Sequence, residues 1–274
     1  MTAKKLYKTI GVNIIAWIIS IILITPLVLI LINSLKTSQA AAEMNLALPD
    51  SIQVENFAKV IEKGKLGITF VNSLTYSVFS VLLCTLTSSM AAFVLSRNRS
   101  RANKIIYFII VLGITMPVNF IALMKVMQVL QIINTKPGII LLYASIQTPF
   151  NVFLIYSFVG KIPRDIDEAA VIDGCSPLRL FFSIIFPLLK PVLVTVMVLT
   201  FLNTWNEYVL PLYFLGNSNN WPMTLAVYNF FGMYFKDWNL VCADIVLTSL
   251  PVIVVYLLGQ KYIVSGMTAG AVKG

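Results

Sequence analysis

Long stretches without a single charge dominate this chain. They run between Lys8 and Lys36, Lys65 and Arg97, Lys104 and Lys125, and Lys136 and Lys161, with two shorter ones from Lys190 to Glu207 and from Asp244 to Lys261. A membrane helix needs about 20 mostly apolar residues, because the hydrocarbon core is about 30 Å thick and a helix rises about 1.5 Å per residue. The runs therefore predict six transmembrane helices, near 10–35, 69–95, 105–125, 138–160, 187–207 and 243–262, in an all-α polytopic bundle that forms one transmembrane domain over 1–274. Composition agrees. With 58% hydrophobic and 11% charged residues, the chain lacks the roughly 25% charge that covers a soluble globule, and lipid must cover the rest.

A seventh run, between Glu207 and Lys236, is cut by Gly216-Asn217-Ser218-Asn219-Asn220 and Trp221-Pro222 into pieces too short to span. It reads as an external, aromatic-rich loop near the interface. The first run follows Lys4, Lys5 and Lys8, as a signal peptide would, but its apolar part exceeds the usual h-region of about 7 to 15 residues, so a retained helix is expected. Basic residues collect on the cytoplasmic side of short loops. With the N-terminus inside, Lys4, Lys5, Lys8, Arg97, Arg99, Arg101, Lys104, Lys161, Arg164, Arg179, Lys190, Lys261 and Lys273 face the cytoplasm, thirteen of the twenty. The expected protein is a multi-pass component of the plasma (inner) membrane with both termini cytoplasmic.

The net charge of +9 falls in loops between apolar runs, where it anchors to anionic headgroups rather than to nucleic acid. Histidine is absent, which removes imidazole acid–base chemistry and imidazole metal ligation. Cys84, Cys175 and Cys242 lie far apart without metal-site spacing and read as packing residues. Neither a catalytic set nor a metal site is expected.

The most informative stretch follows the fourth run, over 161–186. Pro163 suits a first helical turn, and Asp165, Asp167 and Glu168 then sit at the positive end of the helix dipole. Gly174 can adopt the left-handed conformation that stops a helix, and Ser176-Pro177 restarts one, serine as N-cap and proline at the first position. Two short helices separated by a bend are expected. Ala169 and Ala170 allow close approach of another protein, although a solvated connecting loop would use the same residues.

This stretch resembles the EAA loop of ABC importer permeases: Glu-Ala-Ala, three residues, Gly, nine residues, then Ile-x-Leu-Pro. Glu168-Ala169-Ala170 is followed at the right distances by Gly174, Ile184 and Pro187, with Phe186 in place of leucine. The resemblance implies a coupling helix that rests in a cleft of an ATPase subunit. Glu168 would be its polar contact, Ala169 and Ala170 the close packing and Gly174 the bend, with Asp173 also among the coupling residues. Asn72-Ser73, Ile133-Asn134-Thr135, Trp205-Asn206-Glu207 with Pro211-Leu212, and the terminus Gly266-Met267-Thr268-Ala269-Gly270-Ala271-Val272-Lys273-Gly274 make the chain similar to the smaller permease of maltose-type carbohydrate importers. That likeness implies a second permease, two ATPase subunits, an extracellular sugar-binding protein and a tail that touches the ATPases. The loop from Pro211 to Trp238 would meet the binding protein. No phosphate loop of the Gly-x-x-x-x-Gly-Lys type occurs. ATP and magnesium would therefore belong to partner subunits, this chain holding no cofactor.

Sugars are held by amides, hydroxyls and aromatic faces, which makes Asn119, Tyr143, Asn151, Asn203, Trp205 and Asn206 candidates for a substrate pathway. Such residues also pack helices or sit in the interfacial belt. Ser88, Ser89, Ala91 and Ala92 read as packing positions. An ion-coupled carrier, the main alternative, commonly places a carboxylate within a span, and none of the six runs contains one. An amino-acid or peptide permease would share the Glu-Ala-Ala loop but should lack the terminus and the Trp205-Asn206-Glu207 segment.

Overall fold

A computed structural model describes the backbone of residues 3–230 and 237–271, with side chains over 10–230 and 237–262. The described residues are helical with short connections and no strands. Two compact units can be told apart, one formed by residues up to 68 together with 226–250, the other by 69–225 together with the segment from 251 onward.

The first unit opens with α1, Ala3–Ser34, whose stretch Ile10–Ser34 is long and apolar enough to cross a membrane; its most apolar part buries nothing against the protein, and only its end, at Asn33 and Ser34, is buried. In lipid every backbone polar group must be satisfied inside the segment. Its few hydroxyls do the same, Ser20 and Thr25 donating to the carbonyls of Ala16 and Ile21, each at 2.8 Å. Two short helices follow, α2 (Ser38–Ala41), capped by Thr37, and α3 (Glu55–Lys63). Around α2 the end of α1 and the flanking loops form a buried polar centre. Lys36 is a loop charge by sequence, yet it is buried, and its ammonium donates to Asn33 Oδ1 (3.0 Å), Asn45 O (2.9 Å) and Asn45 Oδ1 (2.8 Å). Three donors meet three acceptors, so the charge is tolerable where burial without partners would not be. We expect Lys36→Met to cost about 2–3 kcal/mol by orphaning those acceptors, seen as a lower thermal midpoint of the purified protein. A wild-type midpoint would show the network to be dispensable.

The second unit is built mainly from α4 (Leu66–Arg97), α7 (Lys136–Val159) and α10 (Lys190–Asn206). Ser88, Ser89 and Ala92 are buried on α4 and Ala91 half-buried, as packing positions should be. Asn151 on α7 donates to Cys84 Sγ on α4 (3.0 Å) and to Thr200 Oγ1 on α10 (2.9 Å), joining the three helices at one point. Cys84 is thus a hydrogen-bond acceptor as well as filler.

Three expected spans differ from the observed helices. The run near 105–125 forms two helices, α5 (Arg101–Leu112) and α6 (Phe120–Val129). Pro117 has no N–H to donate and disfavours helix in the residue before it, and the carboxamide of Asn119 restarts the helix by accepting from Ala122 N at 3.0 Å. The fifth is preceded by α9 (Pro177–Leu188), bent 78° from α10 at Leu189. Within α9 the residues Leu180–Ile185 are π-helical, Phe186 N–H bonding Phe181 O. The last, α13 (Trp238–Ala271), starts six residues before Asp244. Asp244 therefore lies inside the candidate span Trp238–Tyr262 and is 1% exposed, which corrects the expectation that no span holds a carboxylate. A boundary drawn at the first charge cannot see a helix that runs through it.

Among the described residues four helices are long and apolar enough to cross a membrane, and α9 with α10 would make a fifth as one bent span. The run between Glu207 and Lys236 breaks into α11 (Val209–Phe214), a turn at Ser218–Asn220 and α12 (Met223–Ala226) before residues 231–236, which lie outside the described part.

Candidate functional site

Local chemistry shapes the loop after α7 much as its residues suggest. Helix α8 spans Asp165–Ile172, with Asp165, Asp167 and Glu168 in its first turn. Pro163 falls just outside, because Arg164 occupies the N-cap. At the far end Gly174 takes φ +76°. Its N–H bonds Val171 O (3.0 Å), and Cys175 N–H bonds Ala170 O (2.9 Å). This is the Schellman stop, which requires a left-handed residue at that position and so favours glycine. Ser176 caps α9 by accepting from Arg179 N, with Pro177 at the first position.

What holds α8 in place comes from far away in sequence. Arg97, the last residue of α4, pairs through Nε with Asp167 Oδ2 at 2.5 Å. Its Nη2 reaches Asp167 Oδ1 at 3.3 Å, and its Nη1 donates to Ile162 O at 3.0 Å. Arg164 answers by donating to Arg97 O at 3.2 Å. Both members of the ion pair are largely buried. A guanidinium fork suits this bidentate role, which an ammonium cannot copy.

The same packing sorts the Glu-Ala-Ala residues. Ala170 is 5% exposed and belongs to a core cluster with Ala92, Ile155, Val159, Leu180 and Ile185. It faces this chain's own interior, so it is not available for packing against a partner. Glu168, Ala169, Asp173 and Gly174 are exposed. Beside them two large apolar side chains project into solvent, Ile172 at 85% exposure and Val171. Neither was singled out from the sequence, although an apolar pair ending a short acidic helix was the signal available.

A second feature lies along α7 and α10. A cavity of about 610 Å³, within the size range of small-molecule sites, is walled on one side by the break between α5 and α6, from Gly113 to Val118. Of the six pathway candidates, Tyr143, Asn203 and Asn206 line it. The other three do not. Asn151 is buried between helices as described above, and Asn119 serves as the cap of α6. Trp205 is buried against Phe201, with ring centroids 5.5 Å apart, and Phe70, 6.0 Å. Gln147, Thr204 and Glu207 also line the cavity and were missed. Gln147 donates to Thr204 Oγ1 (3.0 Å) and accepts from Asn203 Nδ2 (3.1 Å). Glu207 Oε1 accepts from Val209 N (2.7 Å) and Leu210 N (3.1 Å).

Residues 84–269 match the family described as "Binding-protein-dependent transport system inner membrane component". The chain belongs to this family. It is a multi-pass membrane permease of an ABC-type importer that works with other components of a transport system, and it is not an enzyme. The permease is 35% identical over 92% of its length to the multiple sugar-binding transport system permease protein MsmG of Streptococcus mutans, covering 93% of that protein. It is 32% identical to the melibiose/raffinose/stachyose import permease protein MelC of Bacillus subtilis, the alignment covering 91% of each. Its fold matches a chain of a bacterial ABC transporter involved in the import of the acidic polysaccharide alginate, with TM-score 0.85 over 96% of this chain and 98% of that one, at 22% identity.

Segments scattered through the permease meet on the loop that follows α11. Asn72 donates to Asn219 O (2.8 Å) and Trp221 O (3.0 Å), and accepts from Lys136 Nζ (2.7 Å). Ser73 Oγ accepts from Met223 N, and Tyr76 donates to Asn220 O. Asn134 Oδ1 accepts from Asn217 N, and its own N–H bonds Phe214 O. The Asn72-Ser73 and Asn134 segments thus tie down the stretch 214–223. The terminal segment from Gly266 is helical in backbone to Ala271. Its side chains, and the whole of Val272, Lys273 and Gly274, lie outside the described residues.

Proposed function

We propose that this permease is one half of a two-permease channel that imports a sugar or oligosaccharide, powered by ATP hydrolysis in separate subunits. The chain crosses the membrane six times with both termini in the cytoplasm, the broken α5–α6 segment and the bent α9–α10 pair each counting as one crossing. A second, different permease, two ATPase subunits that bind ATP and magnesium, and an extracellular sugar-binding protein complete the assembly. The loop from Pro211 to Trp238, of which residues 217–223 are held by the contacts described above, receives the binding protein, and the terminal segment touches the ATPases. The substrate class rests on relatives named for multiple sugars and for melibiose, raffinose and stachyose.

The observation that carries the coupling role is α8, a helix held at a fixed attitude by Arg97 and presenting Glu168, Ala169, Val171 and Ile172 outward. A rigid, partly apolar projection with a polar rim is what a protein cleft binds well. Asp173 and Gly174 form its turn. The test is to co-purify the permease with the other subunits of its transport system, add the binding protein, and follow ATP hydrolysis over a panel of sugars. Sugar-dependent stimulation is expected in the wild type and its loss in Glu168→Lys, with membrane insertion intact. Stimulation that no sugar elicits would sink the substrate class, and an unaffected Glu168→Lys would remove that residue from the contact.

A further inference from the structure

The cavity between α7 and α10 carries a chemical signature beyond its size. Its wall includes non-helical backbone, 113–119, between two apolar helices. The N–H groups of Gly113, Ile114, Thr115 and Met116 are paired within the turn, yet irregular backbone at membrane depth is tolerated only where it lines a cavity or is buried in protein, and interrupted helices mark binding sites in transporters. Tyr143 lines the same cavity, is 3% exposed, and its phenol oxygen has no hydrogen-bond partner. A buried hydroxyl left unpaired is costly unless a ligand or water meets it. Asn203 and Asn206 add exposed carboxamides. Among the described lining residues Glu207 alone is charged.

That last point decides what the cavity can accept. One of the carboxylate oxygens of Glu207 is fixed by two backbone N–H groups, so the charge cannot swing away from an incoming solute. Among the described lining residues no lysine or arginine offsets it. A sugar hydroxyl can donate to a carboxylate, whereas a sugar carboxylate meets like charge with no cation beside it, a juxtaposition that disfavours binding.

We propose that Glu207 is a specificity-determining residue, and that with Tyr143, Gln147 and Asn203 it makes this cavity a site for neutral or amino saccharides that rejects uronic acids. The proposal rests on the sugar-import reading and adds to it a choice of charge. The fold relative that handles an acidic polysaccharide shares the architecture at 22% identity, which leaves charge preference to the side chains.

The test uses the assembled transporter without its binding protein. Equilibrium binding is measured for a neutral oligosaccharide that the transporter imports, for the same sugar oxidised at C6 to the uronate, and for its 6-amino derivative. Wild type should bind the uronate at least about tenfold more weakly than the neutral sugar, with the amine equal to or tighter than neutral. In Glu207→Gln, which keeps an oxygen for the two backbone donors, the three affinities should fall within about twofold of one another while the neutral sugar still binds. Equal affinities in wild type, or an unchanged ratio in Glu207→Gln, would overturn the proposal. So would absence of binding to any of the three while sugar-driven ATP hydrolysis persists, since import would then bypass this cavity. Failure of sugar-driven hydrolysis itself would instead overturn the import reading.

Discussion

Arg97→Ala is expected to leave a permease that inserts and assembles but no longer transmits a sugar signal to ATP hydrolysis. The guanidinium makes three contacts with the loop, two with the Asp167 carboxylate and one with Ile162 O. Removing it strands a largely buried carboxylate, a loss of about 3–5 kcal/mol when a buried pair is broken from one side. Core burial of Ala170, Leu180 and Ile185 still favours a folded loop, so the outcome is a mobile α8 rather than a lost one. Each 1.4 kcal/mol of seating energy is about a tenfold change in occupancy of the right attitude. Sugar-stimulated hydrolysis should therefore fall by at least about tenfold, with basal hydrolysis unchanged. Arg97→Lys should rescue poorly, because one ammonium cannot serve a fork and a separate carbonyl. Wild-type stimulation in Arg97→Ala would show that the ion pair does not govern coupling.

Ile172→Asp should act by a different route. The side chain is 85% exposed, so this subunit loses little by the change, within about 0.5 kcal/mol for a surface position. A partner cleft loses more. Burying an isoleucine contributes about 1.5–3 kcal/mol, and an aspartate placed there must also be desolvated. Pull-down of the ATPase subunits should weaken by about tenfold to a hundredfold, while thermal stability of the permease alone stays constant. Intact association would mean that the projecting end of α8 faces solvent in the assembly too.

These two residues mark where sequence reading succeeds and where it stops. The bend of the loop was legible because its causes are local: Gly174 closes a helix over six residues, and Ser176-Pro177 opens the next. Arg97 was legible only as one basic residue among many, since its partner lies 70 positions on. A clue existed. Asp167 and Ala170 are three apart, so a helix that buries the alanine turns the aspartate toward the same side and demands a cation there. Charge-free runs located the apolar helices but not the breaks within them, because Gly113 and Pro117 act on backbone geometry rather than on hydropathy. The burial of Lys36 depended on amides at Asn33 and Asn45 that no run of apolar residues announces. Half of the pathway candidates were displaced for a related reason. An asparagine or tryptophan in a span serves helix packing as readily as ligand binding, and only the fold tells Asn203 from Asn151.

The elbow at Leu189 gives this permease a mechanical ratio. Helix α10 has 17 residues and so extends about 25 Å from that corner, its far end carrying Asn203, Asn206 and Glu207 at the cavity wall. A swing of about 5° at the corner displaces that end by about 2 Å over such a length, roughly the difference between a hydroxyl within hydrogen-bond reach and one beyond it. On the proposed import reading, a nudge delivered at the shorter arm would be enlarged at the longer one, like a crank, and letting go of cargo would require no helix to unwind.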